Sequence, residues 1–138
     1  MRYMLIMRST PDAEKAMENV DFNEVIAAMG RFNESMIDAG VLRAGEGLAA
    51  PSEGFVVDFS ADPPVVTDGP DHDATFNGFW IIEVASVDDA KKWAAKAPLG
   101  PGARLEVRRV HETEDFPQDN EWVQKEIRWR EELASRNK

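Results

Sequence analysis

Apolar side chains recur along this chain in short segments that are typical of strands. These segments are residues 2–8, 41–48, 55–59, 65–67, 78–84 and 104–110. Residues 2–8 and 78–84 carry bulky side chains in both directions, which indicates strands covered on both faces. Residues 104–110 instead alternate apolar Leu105 and Val107 with charged neighbours, as a strand with one apolar face does. We interpret 41–48 and 55–59 as two strands joined by a turn.

Three other segments have the spacing or composition of helices. The first spans about residues 22–39, with Asp21 and Glu24 placed as in a capping box and Gly40 at the stop position. Ser86 is placed to cap a second helix, which the segment 98–102 (PLGPG) ends. Residues 121–136 are helical by composition. Their apolar stripe, which includes Trp122 and Trp129, is narrow, so this helix is expected to pack late or on a partner.

The order of these elements predicts a ferredoxin-like α+β fold. It reads β-α-β-β-(β)-β-α-β followed by a C-terminal helix, which places two helices on one face of an antiparallel sheet. We assign residues 1–116 to this domain and 117–138 to a helical extension that packs on its own domain or on a partner. The other sheet face also offers apolar residues. A second copy of the chain could cover it and leave a cleft for a ligand.

Composition narrows the class of protein. The chain has 138 residues, no cysteine and a formal net charge of −10, which excludes thiol chemistry and disfavours nucleic acid and anionic membranes as partners. No segment approaches the length of a membrane span, and the N-terminal apolar run is too short for a signal peptide, so we expect a cytoplasmic protein. Half of the net charge lies in residues 58–75, which contain five Asp and no Lys or Arg.

Several blocks of the sequence resemble the YCII-related family, and more narrowly its DGPF-domain branch. They are MRYMLIMR at residues 1–8, AAMGRFNESMIDAGVLRAGEGL at 27–48, VVTDGP at 65–70, GFWIIEVASVDDAKKWAAKAP at 78–98 and LEVRRVHETEDF at 105–116. The resemblance implies a dimeric α/β barrel, mostly bacterial, in a family largely without established activity. The chain departs from the family pattern after Asp68-Gly69-Pro70, where Asp71 stands in place of Phe.

The acidic loop at this departure is the first candidate site. Asp68, Asp71, His72 and Asp73 could together bind a divalent cation, and Asp68 and His72 are the candidate catalytic residues. The alternative is a turn capped by Asp68 with a solvated acidic tip. We predict no metal and no organic cofactor, since the chain contains no nucleotide-binding or metalloprotease motif.

The second candidate is a pocket on the sheet face opposite the helices. Its ligand-binding candidates are Arg8, Glu46, Arg108 and Trp80, with Glu106 on the same face. Such a set could orient a small carboxylate or enol. The alternative is an ion-pair network between subunits. Trp80 also has the spacing of a core residue, and His111 has an exposed imidazole as its default interpretation.

Two functions remain open from the sequence. The first is a homodimeric small-molecule enzyme that catalyses proton transfer, as isomerases or lyases do, without a cofactor. The alternative is a non-catalytic dimer that binds or senses a small molecule in the same pocket. A third hypothesis is a purely structural dimer whose acidic loops contact another protein. Fold alone does not decide among them.

Overall fold

The computed structural model describes residues 1–69 and 75–136, with Thr75 described in its backbone only. The strands are β1 (Arg2–Ser9), β2 (Leu42–Gly47), β3 (Phe55–Asp58), β4 (Val65–Asp68), β5 (Thr75–Glu83) and β6 (Arg104–Arg109). The helices are α1 (Pro11–Met17), α2 (Phe22–Asp38), α3 (Val87–Ala94) and α4 (Glu121–Arg136). Two short 3₁₀ turns lie at Pro51–Glu53 and Thr113–Asp115.

Four strands form the main sheet in the order β2-β5-β1-β6, and each neighbouring pair is antiparallel. The chain passes from β1 to β2 through α1 and α2, and from β5 to β6 through α3. This strand order with helical crossovers is the split βαβ arrangement of ferredoxin-like domains. The predicted α+β class with an antiparallel sheet is therefore confirmed.

One hydrophobic core joins the sheet to α2 and α3. Leu5 in β1 lies opposite Trp80 in β5, and both are buried on the face that also holds Phe32 and Met36 of α2. The Phe32 and Trp80 rings meet edge to face with 5.1 Å between centroids. Ala90 of α3 belongs to the same cluster. Burial of each large apolar side chain contributes about 1.5–3 kcal/mol, so this face stabilises the domain.

The predicted start of α2, its stop at Gly40 and the predicted start of α3 are confirmed, whereas α3 ends at Ala94, before the predicted stop at residues 98–102. The capping of α2 also differs in one detail. The Asp21 carboxylate accepts from the Asn23 N–H at 2.9 Å, so it caps α2 without the reciprocal bonds of a capping box. Gly40 follows α2 at φ 73°, the left-handed conformation that ends many helices. The Ser86 hydroxyl accepts from the Asp89 N–H at 3.1 Å and caps α3.

Two features differ from the sequence interpretation. Helix α1 was not predicted, although Thr10 caps it and Pro11 occupies its first turn. Residues 41–48 and 55–59 do not form a hairpin with each other: β2 pairs with β5, whereas β3 pairs with β4 in a separate two-stranded sheet. Strand propensity does not specify a pairing partner, which is why the local pattern missed this.

The second face of the main sheet is the one turned away from α2 and α3. Its apolar side chains are Met4, Ile6, Phe79 and Ile81, of which Ile6 is only 6% exposed and the others are half-buried. Part of this face is thus already covered within one copy of the chain.

Helix α4 packs on the 3₁₀ turn Thr113–Asp115, and none of its residues is buried. Trp122 is 59% exposed, and its ring lies 6.3 Å from that of Trp129. In the described ranges, no helix is both long and apolar enough to cross a bilayer.

Candidate ligand-binding clefts

A cleft opens at the end of the sheet where β1 leaves it. It has a volume of about 630 Å³. Its apolar walls come from β1, α1, α2 and the loop 98–103, and they include Met7, Met17, Val25, Met29 and Leu99. We call it the main cleft.

Helix α1 and the loop 98–103 are held together at the wall of the main cleft. The Thr10 hydroxyl donates to the Gly102 carbonyl at 2.9 Å and accepts from the Ala13 N–H at 3.2 Å. Gly102 has φ 84°, and a Cβ there would lie 3.1 Å from the Ala13 nitrogen. Only glycine therefore fits this approach without displacing α1.

A β-bulge shapes the floor between the two clefts. The register of β1 against β5 shifts between Met7 and Arg8, so that Asn77 is the extra residue of β5. Asn77 lines both clefts, and its carbonyl accepts from the Leu48 N–H at 2.8 Å. Bulges redirect side chains, and this one brings Asn77 to the junction of the clefts.

The second cleft has a volume of about 350 Å³ and shares Met7, Met29 and Asn77 with the main cleft. Its other walls include Asn33, Glu46 and Trp80. The Trp80 indole N–H donates to the Asn33 side-chain oxygen at 2.8 Å. Since the indole can only donate, this bond fixes the amide of Asn33 and leaves its NH₂ group as a donor for a ligand.

The charged residues predicted for the sheet face are only partly brought together. The Arg8 Nε and Nη2 atoms both lie 3.3 Å from Glu106 Oε1, and Arg108 Nε lies 3.9 Å from Glu106 Oε2. Arg8 also lines the main cleft. Glu46 does not join this cluster but lies on β2 at the second cleft.

Trp80 is buried in the core on the helix side of the sheet and lines the second cleft. Asp68 is exposed at the end of β4 and lines neither cleft. Asp71, His72 and Asp73, the other members of the proposed cation group, lie outside the described residues. Within residues 1–69 and 75–136, no three His, Asp or Glu side chains are grouped as a metal site.

His111 lies in a separate cluster at the end of β6. Its Nδ1 is 3.6 Å from Asp115 Oδ2. Asp115 also accepts from Arg109 Nη1 at 2.8 Å and from the Glu112 N–H at 2.7 Å. These bonds, the Arg109 one above all, lower the pKa of Asp115 to about 2.

Glu112 extends the same cluster toward the start of β1. It accepts from Arg2 Nε at 2.7 Å and from Arg2 Nη2 at 3.0 Å. The Arg2 hydrogen bonds lower the pKa of the Glu112 carboxyl below its usual value. None of the four residues Arg2, Arg109, Glu112 and Asp115 lines either cleft, so this cluster lies apart from both of them.

The main cleft could not be predicted from the sequence because residues from several separate segments line it. Val25 and Met29 belong to the predicted apolar stripe of α2, and residues 98–102 were interpreted only as a helix stop. The missed signal was Thr10-Pro11-Asp12, a helix start directly after β1.

The fold and the clefts define a small antiparallel α+β domain with an apolar ligand-sized cavity at the end of its sheet. The family model of the YCII-related domain matches residues 1–114. The chain therefore belongs to the YCII-related family. The match includes the whole main sheet with α1, α2 and α3, and it ends before α4. No curated protein matches the chain.

Proposed function

We propose that this protein binds a small molecule with an apolar body and an anionic group in the joined clefts, and that it works as a homodimer. The observation that carries the proposal is the main cleft. Its volume of about 630 Å³ suits a metabolite-sized ligand, and most of its lining side chains are apolar.

We infer the ligand's chemistry from two polar groups, Arg8 and Asn33. Glu14, Glu18 and Glu24 also line the main cleft, so among the described residues Arg8 is the one cationic lining residue and the place for an anionic group. Arg8 lines the main cleft, and its guanidinium is oriented by Glu106, so it can pair with a carboxylate. The Asn33 NH₂ group, oriented by Trp80, can donate to a second acceptor such as a carbonyl or hydroxyl oxygen. Met7 and Met29 line both clefts and can adapt to the body of the ligand between these two groups.

The homodimer is supported by the second face of the sheet. Met4, Phe79 and Ile81 are half-buried there in a single copy, and a second sheet packed on them would remove the rest of their surface from water.

Proton-transfer catalysis is the second candidate function, and Glu46 is the observation that favours it. Glu46 is one of the residues that line the second cleft, together with Asn33 and Asn77. Glu46 lies opposite Phe79 in the register, on the side of the second face of the sheet, so its carboxylate would act at the rim of this cleft. There it could remove a proton from a carbon next to a carbonyl group that the Asn33 amide binds. Glu46→Gln should then keep ligand binding and abolish deuterium exchange into the bound ligand in D₂O.

The binding proposal is tested by thermal shift with a panel of aliphatic and aryl carboxylates of about four to ten carbons. A binder at about one hundred times its dissociation constant should stabilise the wild type by about 2.7 kcal/mol. Arg8→Ala should weaken the binding of carboxylates more than the binding of the matching amides. Ala28→Phe, which fills the main cleft, should abolish the thermal shifts caused by carboxylates and by amides alike.

The matched control is Arg43→Ala, since Arg43 is an exposed arginine paired with Glu83 and lines neither cleft. It should bind like the wild type. A panel without any binder, or full binding by the Ala28→Phe protein, would contradict the proposal.

A further inference from the structure

The hairpin formed by β3 and β4 stands apart from the main sheet. We call residues 55–68 the arm. All eight residues of its two strands are exposed, and within the described part of the chain the two strands pair only with each other. Phe55 is 69% exposed, and Phe59, just after β3, is 78% exposed. A two-stranded hairpin with no further packing is marginal in water, so the arm is expected to lie against another surface.

Both faces of the arm carry apolar side chains. Val57 lies opposite Val66 on one face, whereas Val56 lies opposite Thr67 on the other. Neighbouring residues of a strand point to opposite sides. Covering one face of the arm therefore leaves the apolar side chains of the other face in water. An apolar surface that cannot be hidden within the chain marks an interaction surface.

The arm is also acidic. It carries Asp58, Asp62 and Asp68 and has no Lys or Arg. Ser60 donates to the Asp58 carboxylate from both its backbone and its hydroxyl, which lowers the pKa of Asp58 and keeps it ionised. A surface that receives the arm should therefore be basic.

A basic patch of this kind lies on the second face of the main sheet. Arg8 in β1 lies directly opposite Arg104 in β6, and like charges in that position repel. Arg108 is on the same face and is 74% exposed. Glu106 pairs with Arg8 and with Arg108 but not with Arg104 among the ion pairs of the described residues, so the patch keeps an excess of positive charge.

The arm does not reach this patch within its own chain. It follows β2, and β2 and β6 are the opposite edges of the sheet. Three strand spacings of about 4.8 Å separate those edges, or roughly 14 Å. Among the described residues, no arm aspartate forms an ion pair with Arg8, Arg104 or Arg108.

We propose that the arm of one protomer docks on the arginine patch of a second copy of this chain. Asp58 and Asp68 lie on opposite faces of the arm, so one of them faces Arg104 and Arg108, and the arm variant below changes both. The acidic arm and the basic patch belong to the same chain. Two copies related by a twofold axis therefore form the same arm–patch contact twice. The inference rests on the homodimer proposed above. It adds which surfaces of the two copies meet.

The experiment is a charge exchange followed by sedimentation velocity over a concentration series. The arm variant is Asp58→Lys with Asp68→Lys, and the patch variant is Arg104→Glu with Arg108→Glu. Each variant alone should weaken dimerisation by about tenfold or more, because both contacts in its homodimer become repulsive. An equimolar mixture should dimerise again, since each arm then meets a patch of opposite charge.

The matched control is Glu34→Lys with Asp38→Lys, two exposed positions on α2 with the same change in net charge as the arm variant. The control should dimerise like the wild type. Raising NaCl from about 0.05 M to about 1 M should weaken the wild-type dimer, which tests the contact without any substitution.

Three results would each overturn the inference: a wild type that stays monomeric at all concentrations, an arm variant that dimerises like the control, or a mixture that stays monomeric. Carboxylate binding in the thermal shift experiment is measured independently. It can succeed where the arm inference fails, or fail where the arm inference succeeds.

Discussion

Asp115, in the 3₁₀ turn that follows β6, contributes to the dependence of the protein's stability on acidic pH. Its carboxylate accepts from the Arg109 side chain and from the Glu112 backbone, and it lies close to His111. These partners favour the charged form, which is why its pKa falls from 3.8 to about 2 in the folded chain.

The sign of the pH dependence follows from that shift. A carboxyl group with a lower pKa in the folded state than in the unfolded state stabilises the fold where it is ionised in both. This contribution is complete above the unfolded value of 3.8 and is lost as the pH falls toward about 2. Glu112 acts in the same direction, because the hydrogen bonds from Arg2 lower its pKa too.

We therefore expect Asp115→Asn to flatten the loss of stability between pH 3.8 and about 2. The measurement is the urea midpoint at several pH values for the wild type and the variant. Asp119→Asn is the control, since Asp119 pairs with no cation among the residues the structure describes, and it should keep the wild-type slope. An Asp115 carboxyl that titrates near 3.8 by NMR would contradict the expectation.

At the scale of the elements, β2 and β5 approach each other closely at Gly78. A Cβ on Gly78 would lie 2.6 Å from the Glu46 carbonyl oxygen and 2.6 Å from the Met7 Cε. The methionine can move, but the carbonyl belongs to the backbone of β2. Any side chain at position 78 must push the two strands apart beside the second cleft.

We expect Gly78→Ala to destabilise the protein by about 1–3 kcal/mol, as overpacking does. Gly47 is the matched control. It lies opposite Gly78 in the register, and a Cβ there meets nothing within 4 Å. Gly47→Ala should stay within about 0.5 kcal/mol of the wild type in urea unfolding. Equal effects of the two substitutions would show that space at Gly78 is not limiting.

The elements themselves were largely predictable because their signals are local. Asp21 and Ser86 predict the starts of helices that the structure contains. Residues 104–109 alternate apolar and charged side chains, as strands with one apolar face do. Helix α1 was missed because it has seven residues and buries only Ala13, too little for a periodic stripe. The separate pairing of β3 with β4 was missed because register depends on contacts far from either strand.

The candidate site was less predictable, since it belongs to the whole molecule. Arg8 and Arg108 were expected to share a face, and they do meet at Glu106. Glu46 was expected beside them, but β5 and β1 separate β2 from β6, so it lies at the second cleft instead. Neither cleft has a motif in the sequence, because each is a gap between elements and not a property of any one segment.

The division of the chain at residue 116 is a prediction about the whole molecule that a truncation tests. No residue of α4 is buried, and the helix packs on the 3₁₀ turn Thr113–Asp115. The family match ends at residue 114, so the domain common to the family does not include α4.

A chain of residues 1–116 should therefore unfold cooperatively in urea, with a stability within about 1 kcal/mol of the full chain. Fluorescence of the two tryptophans that remain, Trp80 and Trp93, reports the transition. Because no α4 residue lines either cleft, carboxylate binding should survive the truncation. Loss of cooperative unfolding would instead make α4 part of the folding unit, and its exposed tryptophans would then be the first residues to test.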